Sequence, residues 1–204
     1  MENKVIIAED NKYELYNIAK RTLDIIIASL GLIILSPVLL ITAILIKLES
    51  KGPIIFKQLR AGKDSNPFYI YKFRSMRIDA PNKSTNEFKN AEDFITKIGK
   101  AIRKTSIDEL PQLFNILKGD MSIVGPRPVI LKEKDLIQLR KEYNVDSLLP
   151  GITGWAQING RDTIGDMEKD KYHYEYLKSK SIKLDIKIMC MTALKVIKRS
   201  DIKS

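Results

Sequence analysis

One stretch of the chain gathers more reactive side chains than any other: Arg103-Lys104-Thr105-Ser106-Ile107-Asp108-Glu109-Leu110-Pro111-Gln112. Adjacent carboxylates at Asp108 and Glu109 can hold Mg²⁺, which takes one or two carboxylates plus substrate phosphates. A carboxylate can also attack phosphorus and carry it as an acyl phosphate. The same residues have a plainer use: Ser106-x-x-Glu109 matches a capping box, with both acids where a helix dipole favours negative charge. Two further segments favour the chemical use. Gly125-Pro126-Arg127-Pro128 places an arginine between prolines, which presents a guanidinium fork suited to phosphate oxygens at little entropic cost. Pro150–Arg161 carries Gly151, Gly154 and Gly160, which permit close backbone approach, and ends in Arg161. Together these segments describe a phosphate-handling site. A lone Cys190 and a lone His173 exclude an intramolecular disulfide, a cysteine zinc cluster and any site that needs two imidazoles.

The elements that must position these residues follow from pattern. Residues 53–58 and 68–76 are rich in β-branched and aromatic side chains and flank a turn-rich loop, which predicts a β-hairpin. Residues 79–93 read as a polar loop or frayed helix. Leu110, Leu113, Phe114 and Leu117 mark one helix face, ended by Gly119-Asp120. Residues 121–124 read as a short strand leading into the Gly-Pro-Arg-Pro segment, and residues 132–143 as a helix. Ile182, Ile186, Met189, Ala193 and Ile197 mark a last helix flanked by lysines, either a basic amphipathic helix or a core-packed one.

With 204 residues, 44% hydrophobic, the chain has the length of one domain with a real core. Residues 25–46 are 22 in a row without a charge, long enough as a helix to cross a bilayer. Ser36-Pro37 interrupts this run, because proline removes a backbone hydrogen bond and restricts the residue before it. Basic residues flank both ends: Lys20 and Arg21 before, Lys47, Lys51, Lys57 and Arg60 after. The positive-inside rule is then better met by a helix that enters, breaks and returns than by a span. Physics alone leaves the two open.

The net charge of +10 is grouped. Residues 47–77 hold eight Lys/Arg against Glu49 and Asp64, residues 97–104 hold four and no acid, and residues 178–199 hold seven against Asp185. Such blocks beside an apolar hairpin fit a protein lying on an anionic membrane face. Nucleic acid is the other partner that basic charge invites, but no helix-turn-helix, zinc or RNP-type signature accompanies it.

Seven ordered segments resemble the bacterial sugar transferases, the monotopic polyprenyl-phosphate phosphoglycosyl transferases. They are Lys20-Arg21-x-x-Asp24, Ser36-Pro37, Gly52-Pro-x-x-Phe56-x-Gln58-x-Arg60-x-Gly62, Tyr71-Lys72-Phe-Arg74-x-Met76, Arg103 to Leu113, Gly119 to Pro128, and Pro150 to Arg161. The resemblance covers roughly residues 18–200 and lacks the extra N-terminal membrane helices of larger members, so it is to the minimal form. It implies an α+β, predominantly helical, monotopic membrane protein with a re-entrant helix broken at Ser36-Pro37, amphipathic interfacial helices and a small hairpin. The implied division is a polar lead-in over 1–19, the re-entrant helix over 20–47, and a cytoplasmic catalytic domain over 48–204.

The implied reaction moves a phosphosugar from a UDP-sugar to undecaprenyl phosphate with Mg²⁺. It releases UMP at the inner face of the bacterial cytoplasmic membrane, as the first membrane step of glycoconjugate assembly. Asp108 would be the nucleophile and Glu109 its metal-binding neighbour. Lys72, Arg103 and Arg127 would contact substrate, and Arg161 the nucleotide-sugar. One departure stands out: the family usually has an aspartate near the position of His173, which receives no role. The competing reading is a non-enzymatic membrane-surface adaptor, which would need neither the acid pair nor Arg127 and Arg161.

Overall fold

A computed structural model of the chain describes residues 2–80, 91–160 and 165–198. The architecture is predominantly helical with two small sheets. Helix α1 (Glu2–Ile34) runs without interruption from the polar lead-in into the apolar segment. Helix α2 (Ser36–Glu49) follows at a bend of 61°. Pro37 sits in the first turn of α2, where its missing N–H costs nothing. Ser36 Oγ donates to the carbonyl of Ile33 at 2.8 Å, so the serine satisfies an acceptor at the break. Among the described residues no single helix is long and apolar enough to cross a membrane, whereas the bent pair Tyr13–Ile34 with Ser36–Glu49 passes that test together. Leu30, Ile33, Ile34, Leu40, Ile41 and Leu48 of this pair are all more than half exposed, which is apolar surface the protein itself does not cover.

The charged motif at the start of the apolar run fastens α1 to the rest. Lys20 pairs with Asp185 at 2.9 Å. Arg21 donates to the carbonyls of Ile116 and Leu117 at 2.6 and 3.0 Å, and Asp24, buried, accepts from the Ile123 N–H at 2.9 Å.

The predicted hairpin is β1 (Ile55–Ala61) against β2 (Pro67–Phe73), antiparallel, with Lys57 opposite Tyr71 and Phe56 opposite Lys72. A third strand, β4 (Val129–Ile130), pairs with the other edge of β1. The free edge of β2 is closed by a side chain: Asn115 accepts from the Tyr71 N–H at 2.9 Å and donates to the Tyr69 carbonyl at 2.7 Å. Strands β3 (Ser122–Val124) and β5 (Gly151–Thr153) form a separate parallel pair.

Three apolar clusters result. Ala28 of α1, Ile70 of β2, and Leu113 and Ile116 of helix α4 (Gln112–Lys118) form one. Ile46 of α2, Phe73, and Ile102 of helix α3 (Lys97–Lys104) form the second. Val124, Ile158 of helix α6 (Trp155–Gly160), Tyr176 of helix α7 (Asp166–Ser179) and Ile188 of helix α8 (Ile182–Lys198) form the third. Helix α5 (Lys134–Glu142) packs outside them.

Two helix faces differ from expectation. In α4 the helix begins only at Gln112, and Asn115 and Ile116 are fully buried while Phe114 is half exposed, because Asn115 must face the edge of β2. Gly119 ends α4 at φ 91°, in the left-handed region that favours glycine. In α8 the buried residues are Asp185 and Ile188, and Ile186 points outward. Asp185 is drawn inward by Tyr176, whose hydroxyl donates to it at 2.6 Å, and by Lys20. The apolar pattern of α8 is therefore split: Met189 packs against the core, whereas Ile186 and Ala193 are exposed. Residues 81–90 of the polar stretch expected over 79–93 lie outside the described residues.

Candidate active site

The acid pair sits on a 3₁₀ turn and not on the first turn of an α-helix. Helix α3 ends at Lys104 with Thr105 as its C-cap, Ser106 takes a left-handed conformation at φ 56°, and Ile107–Glu109 make a single 3₁₀ turn before Pro111 and α4. The capping box is not formed: the Ser106 side chain makes no cap hydrogen bond, and Glu109 turns instead to Lys72, whose Nζ donates to Oε1 at 2.7 Å. A left-handed serine followed by a three-residue turn leaves no first α-helical turn for the box to close on.

Asp108 is 9% exposed. Burial, and then the neighbouring charge of Glu109, push its carboxyl up to about 6, against the pull of Lys72 and Arg103. Lys72 on β2 and Arg103 in the last turn of α3 thus both stand within electrostatic reach of Asp108.

Arg60, on the same face of β1 as Phe56 and Gln58, lies within electrostatic reach of Glu109, Glu133 and Arg127. Burial and the Arg127 charge lower its guanidinium to about 10. Its Nε and Nη2 donate to Gln58 Oε1 at 3.0 and 2.6 Å. Arg127 is exposed on the loop between β3 and β4. That loop is seated where Gly125 crosses Gly151 and Gly154: a Cβ on any of the three would run into backbone, so no other residue fits there. The structure therefore gathers Asp108, Glu109, Lys72, Arg103, Arg60 and Arg127 into one mixed cluster, and Arg60 is the member that pattern reading left without a role. Its period-two spacing from Gln58 was the signal that both share one strand face. Arg161 lies outside the described residues. Ser36 and Pro37 stand at the helix break.

On the opposite face of the hairpin lies an open groove of about 560 Å³, lined by Ile55, Lys57, Tyr71, Pro111, Phe114, Leu117 and Lys118. Lys57 and Lys118 each hold an ammonium over the Tyr71 ring, at 5.6 and 5.4 Å. His173 is elsewhere: it is 2% exposed, and burial with the nearby Arg140 and Lys169 charges holds its imidazole well below the ordinary histidine range. A neutral buried ring suits packing.

Mg²⁺ can be tested against this cluster. Among the described residues no three His, Cys, Asp or Glu side chains gather as a cage. Two adjacent carboxylates, Asp108 and Glu109, stand side by side, and the charge of Glu109 adds to burial in pushing Asp108 upward. That donor set fits an ion that completes its shell with water and phosphate oxygens.

The family described as bacterial sugar transferase matches residues 15–199. The UDP-glucose:undecaprenyl-phosphate glucose-1-phosphate transferase of Escherichia coli (strain K12) is 44% identical over 183 residues, covering 86% of this chain and 39% of that protein. The UDP-N-acetylgalactosamine-undecaprenyl-phosphate N-acetylgalactosaminephosphotransferase of Aeromonas hydrophila is 41% identical over 186 residues, covering 87% and 43%. The uncharacterised sugar transferase EpsL of Bacillus subtilis (strain 168) is 42% identical over 180 residues and covers 88% of each chain. The chain spans less than half the length of the first two.

Proposed function

The chain belongs to the bacterial sugar transferases, and from that premise we propose that it transfers a phosphosugar from a UDP-sugar to undecaprenyl phosphate, releasing UMP. The observation that carries the reading is the buried acid pair on its 3₁₀ turn, faced by Lys72 and Arg103. A non-enzymatic adaptor has no use for a buried carboxylate pushed up to about 6, nor for cations turned inward upon it.

The chemistry proceeds in two displacements at one phosphorus. An Asp108 carboxylate oxygen attacks the phosphorus that bears the sugar, the bond to the bridging oxygen breaks, and UMP leaves with that oxygen. A phosphate oxygen of the polyprenyl phosphate then attacks the same phosphorus and displaces Asp108, which regenerates the carboxylate. Lys72 holds Glu109 in place, while Arg103 and Arg127 bind phosphate oxygens and Arg161 the nucleotide-sugar. Asp108 and Glu109 would hold Mg²⁺, which neutralises phosphate charge when bound. The bent α1–α2 pair enters and leaves the cytoplasmic leaflet, so that the site lies at the headgroup level where the lipid phosphate sits.

The test is incubation with UDP-sugars and Mg²⁺ without lipid. Stoichiometric UMP and an intact-mass increase of one phosphosugar are expected, and the adduct should be discharged by undecaprenyl phosphate. UMP that appears only when lipid is present, with no adduct, overturns the covalent route. A panel of UDP-sugars identifies the donor.

A further inference from the structure

Resting on that reading, we propose that Arg60 and Arg140 are positioning residues that aim Arg127 at the donor diphosphate. Three consecutive carbonyls of the Pro-Arg-Pro loop are each held by a different element. Pro126 accepts from the Gly151 N–H at 2.8 Å, Arg127 from Arg140 Nη1 at 2.7 Å, and Pro128 from Arg60 Nη1 at 3.2 Å. Proline rings fix φ at positions 126 and 128 but leave ψ free. The direction of a carbonyl is set by the ψ of its own residue, so these bonds restrain the torsions that the rings do not.

Both clamps are themselves fixed. Arg60 is forked onto Gln58 Oε1, and Arg140 Nε donates to Asp170 Oδ1 at 3.1 Å, with side chains 11% and 3% exposed. The charges divide accordingly. Arg140 is balanced by Asp170, and Arg60 faces Glu109 and Glu133. Arg127 stands exposed beside Arg60, whose like charge disfavours its folding back onto the loop. A guanidinium whose backbone is held at three points loses little entropy when it binds a phosphate.

The test is a double-mutant cycle read in KM and kcat for UMP release, with UDP binding measured separately by calorimetry. Arg60→Met and Arg140→Met should each raise KM for the UDP-sugar about tenfold and weaken UDP to match, with kcat within about threefold. In an Arg127→Ala background the same changes should raise KM less than about twofold, because the residue they act through is gone. A merely structural role moves KM by the same factor in both backgrounds, and that outcome overturns the proposal. So does an Arg127→Ala protein with unaltered affinity for donor and UDP. Arg60→Lys and Arg140→Lys, which keep the charge on a single donor nitrogen, should recover part of the loss. If Arg60→Met fails to fold, Gln58→Met loosens the fork of Arg60 without removing its charge and enters the same cycle. Failure of the wild-type protein to release UMP overturns the transferase reading itself, a separate outcome.

Discussion

Asp108→Asn separates a reactive carboxylate from a structural one, because the two predict opposite signs. A carboxyl raised from its ordinary 3.8 to about 6 is held in a place that disfavours its charge. At about 1.4 kcal/mol per pH unit, keeping it ionised costs the folded protein about 3 kcal/mol. The cost applies in full above pH 6. It fades as the folded state takes up a proton between about pH 6 and 4, so the stability of the wild type rises relative to the variant over that window. An amide of the same shape carries no such cost. Urea unfolding in detergent with EDTA, followed by the fluorescence of the single Trp155, should find Asp108→Asn more stable by about 2–3 kcal/mol at pH 8. The two proteins should converge by about pH 4. The same variant should form no phosphosugar adduct, since an amide oxygen is too weak a nucleophile. A carboxylate serving a helix dipole predicts a loss of about 0.3–1 kcal/mol instead. Asp108→Asn protein that is less stable at pH 8, or that still forms the adduct, refutes the reasoning.

The salt bridge of Lys72 and Glu109 is about a fifth exposed at each end, so a Lys72→Met, Glu109→Gln cycle should give a coupling of only about 1 kcal/mol in stability, while each single change slows UMP release; equal activity in Lys72→Met would remove the lysine from the site. Cysteines introduced at positions 3 and 203 in a Cys190→Ser background should both resist an impermeant thiol reagent in intact cells, and Pro37→Ala should expose position 3 in a fraction of molecules by restoring a continuous helix. Labelling of position 3 in the Pro37 protein would mean a span. His173 stays neutral in the fold and gains its proton on unfolding, so it lowers stability as pH falls below about 6.5, by about 1.4 kcal/mol per pH unit; His173→Phe should flatten the acid limb of the urea midpoint by that slope, and an unchanged limb would place the histidine in contact with water.

Elements whose signal is local were legible in the sequence. The break at Ser36-Pro37, the hairpin and the glycine stop of α4 each depend on a few neighbouring residues, and each is found in the structure. The failures come from tertiary demands. Phe114 sits in the apolar period of α4 but is displaced from the core by Asn115, which must close the edge of β2 forty-four residues away. Ser106-x-x-Glu109 spells a capping box, yet Glu109 has a stronger partner in Lys72, which no short-range rule couples to it. The roles of Arg60 and Arg140 were hidden for the same reason: what they hold is backbone carbonyl, and carbonyls leave no trace in a sequence.

The acid pair is suspended between the two arms of the bent helix. Its 3₁₀ turn joins the end of α3 to the start of α4. The far end of α3 is tied to α2, because the Glu49 carboxylate accepts the Ile98 N–H at 3.1 Å at the start of that helix, where negative charge is favoured. The far end of α4 is tied to α1, because Arg21 covers its last carbonyls. Leu113 packs onto Gly31 of α1, and Ile102 packs with Ile46 of α2. Both arms that meet at the 61° bend are therefore linked to the turn between α3 and α4. The two arms of the bent pair and the turn that carries Asp108 and Glu109 thus brace one another through α3 and α4.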